Sequence, residues 1–171
     1  IHTNFEDSPK VFSAVIEAGA KPFGMYALNS MRIEKGYRTW KGDLSTDYTL
    51  LEGGIERFIK FDKPQDFPGK AALLAEKQQG SKKRFVTLIV DTDFADAPYM
   101  SSIWHGDKVV GETTSGDWGY RINASIALGM VRSDLAVPGS KLEVEIFGKR
   151  CKAIVQNDEA LWDPKNERIC A

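Results

Sequence analysis

Residues 141–155 have the sequence KLEVEIFGKRCKAIV, in which apolar and polar side chains alternate along two short runs. A period of two places one side of each run in a core and the other in solvent, as in a half-buried β-strand. Gly148-Lys149 lies between the two runs, and glycine accepts the positive φ that a tight turn requires. This segment therefore predicts a β-hairpin.

Similar patterns precede this hairpin. Residues 84–90 are apolar and rich in β-branched side chains, which predicts a strand buried on both faces. Residues 103–110 predict a second hairpin, whose turn is His105-Gly106-Asp107. Residues 125–131 predict another strand, and Gly129 within it indicates a β-bulge. About five or six short strands joined by tight turns indicate a small antiparallel barrel or sandwich.

The beginning of the chain has helical rather than strand-like patterns. A first helix is expected at about residues 8–18, where Ser8 can accept a hydrogen bond from the first turn. A second helix is expected at about residues 25–35, with Leu28 and Met31 on its apolar face.

The fold class that follows is α+β. Residues 41–54 are rich in Gly, Asp, Ser and Thr and indicate a loop, residues 55–61 are strand-like, and residues 70–79 predict a third helix. We therefore expect an α+β part at residues 1–80 and an all-β part at residues 81–171, which ends in a surface tail.

Composition excludes several classes of protein. The chain has 171 residues, with 23 Lys and Arg against 24 Asp and Glu and a formal net charge of −1. A nucleic-acid partner is not expected, because binding phosphates requires a basic face. No run of about 18 apolar residues is present, so no membrane span is expected. Since the sequence starts at Ile1 without an initiator methionine, we expect a piece of a longer protein.

Common catalytic motifs are absent from the sequence. The two histidines, His2 and His105, and the two cysteines, Cys151 and Cys170, lack the spacing of metal ligands, so no metal is expected. Phosphate-binding glycine loops and nucleophile elbows are also missing. The basic cluster at residues 82–84 is interpreted as a charged β edge. These patterns assign no catalytic residue.

Four segments in order resemble the folate-binding aminomethyltransferase family, which comprises the glycine cleavage T-protein and its relatives. They are Met31-Arg32-Ile33-Glu34-Lys35-Gly36, Leu51-Glu52-Gly53-Gly54-Ile55, Phe67-Pro68-Gly69-Lys70-Ala71-Ala72-Leu73 and Gly111-Glu112-Thr113-Thr114-Ser115-Gly116. Residues 26–40 and the tail segment 161–168 are similar to one branch of this family, the dimethylglycine and sarcosine dehydrogenases.

This resemblance implies a fold and a function. Residues 1–80 would be the C-terminal portion of an aminomethyltransferase folate-binding domain, and residues 81–171 the family's C-terminal β-barrel. The whole protein would pass a one-carbon unit to tetrahydrofolate. If the chain belongs to the dehydrogenase branch, FAD would be bound only in the missing N-terminal region of the longer protein. That N-terminal region would also be a partner of this chain. The alternative is a non-catalytic folate-sensing or scaffold module of the same fold.

The resemblance also implies site residues. Tyr37 would face the folate, and Trp40 offers similar stacking chemistry; the alternatives are an interface tyrosine and a core tryptophan. Arg32 is expected to form a buried ion pair, with Glu52 as a candidate partner. A folate-contacting arginine of the family aligns with Leu28, so that contact is not carried over.

The family's catalytic aspartate lies upstream of the region that this chain matches, so the chain alone is expected to be inactive. A cytoplasmic location is expected, or the mitochondrial matrix in a eukaryote.

Overall fold

The computed structural model describes residues 1–170, with helices in the first part and strands in the second. The α-helices are α1 (Ser8–Glu17), α2 (Met25–Glu34) and α3 (Lys70–Gln79). The β-strands are β1 (Lys83–Val90), β2 (Ser102–His105), β3 (Lys108–Gly119), β4 (Ala124–Arg132), β5 (Lys141–Ile146) and β6 (Lys149–Val155). Short 3-10 turns occur at Phe5–Asp7, Glu56–Phe58 and Ser133–Leu135. None of the helices within residues 1–170 is long and apolar enough to cross a bilayer.

The six strands close into an antiparallel barrel in the order β1-β4-β3-β2-β5-β6. The cylinder is completed where β1 pairs with β6, for example at Leu88 and Val155. Both predicted hairpins are present: Gly106, with a φ of 60°, lies between β2 and β3, and Phe147 and Gly148 lie between β5 and β6. The α+β class with a barrel is confirmed, and a sandwich is excluded.

Alternating side chains fill the interior of the barrel. Leu142, Val144 and Ile146 of β5 are 3%, 0% and 0% exposed, while the charged residues between them face outward. This is the alternation that predicted the hairpin. The interior core comprises Val86, Leu88, Val90, Ala97, Ile103, Ala127, Val131, Leu142, Val144, Ile146, Cys151, Ala153 and Val155.

A second core lies outside the barrel, beneath α2. Phe85 of β1 and Ile126, Leu128 and Met130 of β4 pack with Ile33 of α2. Because strand residues alternate between two faces, β1 and β4 are apolar on both. The prediction that β1 is buried on both faces is therefore confirmed, and its outer face is covered at Phe85 by the cluster around Ile33 and by the Arg38 guanidinium.

The prediction of a strand at residues 55–61 is wrong. The chain there makes a 3-10 turn at Glu56–Phe58, and Phe58 is 72% exposed. A strand requires a neighbour with which to exchange backbone hydrogen bonds, and each barrel strand already has two. An alternating segment outside a closed barrel therefore remains irregular.

The expected start and apolar face of α1 also need correction. Ser8 is the first residue of α1 rather than its cap, and the cap position is occupied by Asp7. On the predicted apolar face, Phe12 is 60% and Val15 is 37% exposed. The helix itself is present where its pattern predicts it.

The buried face of α2 differs from expectation because two of its three buried residues, Ser30 and Glu34, are polar. Leu28 is 42% exposed, whereas Ser30, Ile33 and Glu34 are buried. The Ser30 hydroxyl donates a hydrogen bond to the Trp118 carbonyl at 2.6 Å. Hydrophobic periodicity does not detect a helix face that docks through hydrogen bonds.

The predicted bulge lies on the strand that faces Gly129. The extra residue is Thr114 of β3, between Thr113, which pairs with Gly129, and Ser115. Gly129 is needed for close approach, because a Cβ there would lie 2.7 Å from the Glu112 carbonyl oxygen. The prediction located the irregularity in the sheet but assigned it to the wrong strand.

The basic residues 82–84 do not form an exposed β edge. β1 pairs with β4 along its length, and its other side is covered near Phe85 by the preceding loop. There the Phe85 N–H donates to the Glu52 carbonyl at 2.8 Å, and the Arg84 guanidinium forms an ion pair with Glu56. The Arg84 charge therefore contacts the loop, and the strand edge beside it is already paired.

Shortening a barrel side chain should destabilise the fold strongly. Leu88→Ala removes a side chain with 0% exposure, and we expect the free energy of unfolding to fall by about 2–5 kcal/mol. The matched control is Leu74→Ala on α3, where the residue is 38% exposed and the loss should stay below about 1 kcal/mol. Urea denaturation measures both. Equal losses in the two variants would contradict the assigned core.

Candidate functional site

A buried carboxylate joins the helical part of the chain to the barrel. Asp43 follows α2 and is 0% exposed. Its Oδ2 accepts hydrogen bonds from Arg32 Nη1 at 2.7 Å and from the Thr39 N–H at 2.8 Å. Its Oδ1 accepts from the hydroxyls of Thr114 at 2.6 Å and Ser115 at 2.8 Å. These donors occupy the lone-pair positions of the carboxylate, which offsets the cost of burying its charge.

The bulge in β3 makes this arrangement possible. Adjacent residues of a regular strand point to opposite faces, so they cannot both reach one acceptor. The extra residue at Thr114 changes the local direction of the strand, and Thr114 and Ser115 both donate to Asp43.

Arg32 connects the same network to α2 and to the loop that follows it. Its Nη2 donates to the Ser115 hydroxyl at 2.6 Å, and its Nε donates to Asn29 Oδ1 at 2.9 Å. Its Nη1 also donates to the Tyr37 carbonyl at 3.1 Å. The position of Tyr37 therefore depends on the guanidinium that pairs with Asp43.

The predicted buried ion pair of Arg32 is confirmed, but its partner is Asp43 rather than Glu52. The Glu52 carboxylate instead accepts the backbone N–H groups of Thr49 at 3.2 Å and Lys83 at 3.3 Å. Glu52 thus holds its own loop against the start of β1.

The C-terminal segment packs against the end of α2. The Lys35 ammonium, on a residue that is 8% exposed, donates to the Asp163 carbonyl at 2.7 Å and to Asn166 Oδ1 at 2.8 Å. The backbone N–H of Trp162 donates to the Glu34 carbonyl at 3.1 Å. These bonds keep the tail beside the loop that carries Tyr37.

A second buried carboxylate supports this packing. Glu34 is 1% exposed and accepts the Arg121 N–H at 2.6 Å and its guanidinium at 3.1 Å. The same guanidinium lies over the Trp162 ring, 4.2 Å from its centre. The tail is therefore held by the barrel as well as by α2.

An open cavity of about 530 Å³ lies between the loop after α2 and the tail. Its walls are residues 35–38, residues 158–160 and residues 164–166, together with Arg57 and Thr87. This volume is in the range of small-molecule sites, which are concave and carry a few oriented polar groups.

Arg38 is a buried cation in the cavity wall. Its side chain is 8% exposed, and its guanidinium pairs with Asp158 at 3.3 Å. Burial lowers the pKa of the Arg38 guanidinium, Asp158 opposes this shift, and the nearby cation of Arg57 adds to it. The cavity therefore presents positive charge that its own residues compensate only in part.

The two residues predicted to bind folate occupy different places. Tyr37 lines the cavity and is 50% exposed, so its ring and hydroxyl are available to a ligand. Trp40 lies further along the same loop, outside the cavity lining, and is 65% exposed. The alternative of a core tryptophan is therefore wrong.

The cavity offers groups that can contact a ligand. It combines an aromatic hydroxyl with guanidinium groups, while the Lys35 ammonium is already engaged by two oxygen acceptors. Within residues 1–170, no group of three or more His, Cys, Asp or Glu side chains is placed to hold a metal ion.

Sequence reasoning missed Asp43, Arg38 and the tail contacts. Loop carboxylates are usually solvated, and no spacing distinguishes Asp43 from Asp47 in the same loop. The role of Arg38 depends on its burial, and burial of a loop arginine leaves no periodic signal.

A closed six-stranded barrel is docked to α2 through the buried Arg32–Asp43 pair and borders an open cavity. Residues 83–163 match the glycine cleavage T-protein C-terminal barrel domain, and residues 1–63 match the GCVT N-terminal domain. The chain belongs to the glycine cleavage T-protein family, near its dimethylglycine dehydrogenase branch.

Individual relatives agree with this assignment. The chain is 41% identical to mitochondrial dimethylglycine dehydrogenase of Mus musculus, with 96% of the chain and 19% of the relative covered. It is 30% identical to an aminomethyltransferase of Prochlorococcus marinus, with 88% of the chain and 40% of the relative covered. The chain therefore spans about a fifth of the length of the dehydrogenase.

A solved structure supports the fold. Glycine cleavage system aminomethyltransferase T from Bartonella henselae superposes with a TM-score of 0.71 at 24% identity, over 77% of this chain and 37% of that one.

Removing the charge of Asp43 should uncouple the two parts of the chain. Asp43→Asn leaves Arg32 without its buried partner and places an amide N–H against other donors. We expect the free energy of unfolding to fall by about 3–5 kcal/mol in chemical denaturation. The matched control is Asp134→Asn, which removes an exposed pair with Arg132 and should leave the stability close to that of the unaltered chain. A stable Asp43→Asn variant would show that the network is dispensable.

Proposed function

We propose that this chain is the C-terminal part of a tetrahydrofolate-dependent aminomethyltransferase-like protein of the dimethylglycine and sarcosine dehydrogenase branch. In the whole protein, a one-carbon unit released from an N-methylated glycine passes to N5 of tetrahydrofolate. The observation that supports this most directly is the cavity lined by Tyr37, beside a barrel of the T-protein family. Residues 1–80 complete the folate-binding domain, and residues 81–171 form the barrel domain and its tail.

Tyr37 is the proposed contact for the flat, polar-edged ring system of the folate. An aromatic ring can stack on the pterin or benzoyl group, and its hydroxyl can hydrogen-bond at the edge. The hydrogen bond from Arg32 to the Tyr37 carbonyl supports a fixed orientation of this residue. Trp40 is the second proposed contact and reaches the parts of the ligand that extend beyond the cavity.

The remaining partners lie outside these residues. FAD is proposed to bind only an N-terminal region of the longer protein, since the chain spans 19% of the mouse dehydrogenase. That region is also the proposed intramolecular partner. The relatives named as mitochondrial support the mitochondrial matrix as the location in a eukaryote, with the cytoplasm as the counterpart in a bacterium.

Transfer of a one-carbon unit depends on holding donor and acceptor together and on excluding water from a reactive iminium. This chain supplies one wall of the pocket, and that wall is open to solvent. We propose that it positions the acceptor without performing the reaction.

Binding of folinic acid should depend on Tyr37. Calorimetric titration of the complete protein should give measurable heat, and Tyr37→Ala should weaken binding about tenfold through loss of aromatic contact. Trp40→Ala should have a smaller effect, because its ring lies outside the cavity lining. Tyr120→Ala is the control, since this ring is 78% exposed and lies outside that lining.

Two outcomes would contradict this proposal. Absence of heat at millimolar folinic acid would favour a scaffold of the same fold that binds no folate. Equal weakening by Tyr37→Ala and Tyr120→Ala would remove Tyr37 from the site.

The chain alone should give no turnover. Incubation with methylenetetrahydrofolate or with N-methylglycine should leave both unchanged, because the open pocket does not hold two reactants away from water. Mass spectrometry of the folate pool measures this. Product formed above a buffer blank would overturn the assignment of a purely positioning role.

A further inference from the structure

Arg38 carries a buried polar atom that has no hydrogen-bond partner. Among the side-chain nitrogen and oxygen atoms buried within residues 1–170, its Nε alone has no hydrogen-bond partner. Its Nη1 donates to the Gly36 carbonyl at 3.4 Å and its Nη2 to Asp158 at 3.3 Å. Both distances exceed the usual range for a charged N–H donor. A buried guanidinium normally makes shorter and more numerous bonds.

The orientation of Arg38 is fixed although its hydrogen bonds are weak. Its guanidinium carbon lies 4.1 Å from the centre of the Phe85 ring, which holds the planar group by stacking. Gly54 also approaches closely, and a Cβ there would lie 2.8 Å from Nη2. The side chain is therefore held in a slot at the cavity wall.

Asp158 is an incomplete partner for this guanidinium. Its side chain is 68% exposed, so most of its charge remains solvated while that of Arg38 is buried. A single contact at 3.3 Å leaves the planar fork available for a better acceptor. Arg57 lies on the same cavity and adds a second guanidinium.

We propose that Arg38 binds a carboxylate of the cavity's ligand, which replaces Asp158 on the guanidinium. This inference rests on the proposed function and deepens it: the ligand is a folate whose anionic glutamate end lies at Arg38, while its ring system contacts Tyr37. Asp158 occupies the carboxylate position in the free protein and moves into solvent when the ligand binds.

A pair of ligands tests this assignment. One is 5-formyltetrahydrofolate, which carries the glutamate, and the other is the corresponding 5-formyltetrahydropteroyl amide, which lacks it. Arg38→Met keeps an unbranched apolar stem over Phe85 and removes the charge. It should weaken binding of the glutamate ligand about tenfold or more and leave binding of the amide unchanged.

A second variant gives a change of opposite sign and avoids the risk of misfolding. Asp158→Asn removes the competing carboxylate from an exposed position, so it should strengthen binding of the glutamate ligand about threefold, with no effect on the amide. Arg132→Met is the matched control, because Arg132 pairs with Asp134 away from the cavity. This variant of the complete protein should bind both ligands as the unaltered protein does.

The outcomes separate this inference from the proposed function. If Arg38→Met weakens both ligands equally, or Asp158→Asn leaves the glutamate ligand unaffected, the carboxylate assignment is overturned while folate binding stands. If neither ligand binds the unaltered complete protein in calorimetry, the proposed function fails and this assignment fails with it.

Discussion

The buried carboxylate of Asp43 is the interaction on which the rest of the structure depends. A charge with 0% exposure is tolerated only when donors surround it, and here they come from α2, from the following loop and from β3. Three separate parts of the chain must therefore adopt their positions together. An apolar contact of the same area would allow the helix to slide on the barrel, whereas short hydrogen bonds to one carboxylate allow a single arrangement.

The cavity follows from this arrangement. Arg32 holds the carbonyl of Tyr37 while it pairs with Asp43, so the cavity wall is built on the same guanidinium that docks the helix. The opposite wall is the tail, held by Lys35 and Trp162 at the end of α2. Both walls are thus attached to one helix, and the space between them is defined by its position on the barrel.

Much of the barrel could be predicted from the sequence, because the period-two pattern of residues 141–146 and the apolar run of β1 reflect burial directly. The prediction failed where alternation had no strand to pair with, as at residues 55–61, and where burial was polar, as at Ser30 and Glu34. The candidate site was predicted only through family resemblance at Tyr37, since side chains from distant segments form the cavity.

By itself, the sequence determined the α+β class, the hairpins and the family, because these depend on local patterns and on motifs in order along the chain. Only the tertiary structure decided the partner of Arg32, the strand that carries the bulge, and the pairing of a buried Arg38 with Asp158 beside Tyr37. The physical reason is that burial and hydrogen-bond partners are properties of segments brought together, here residues 38 and 158, which lie far apart in the chain.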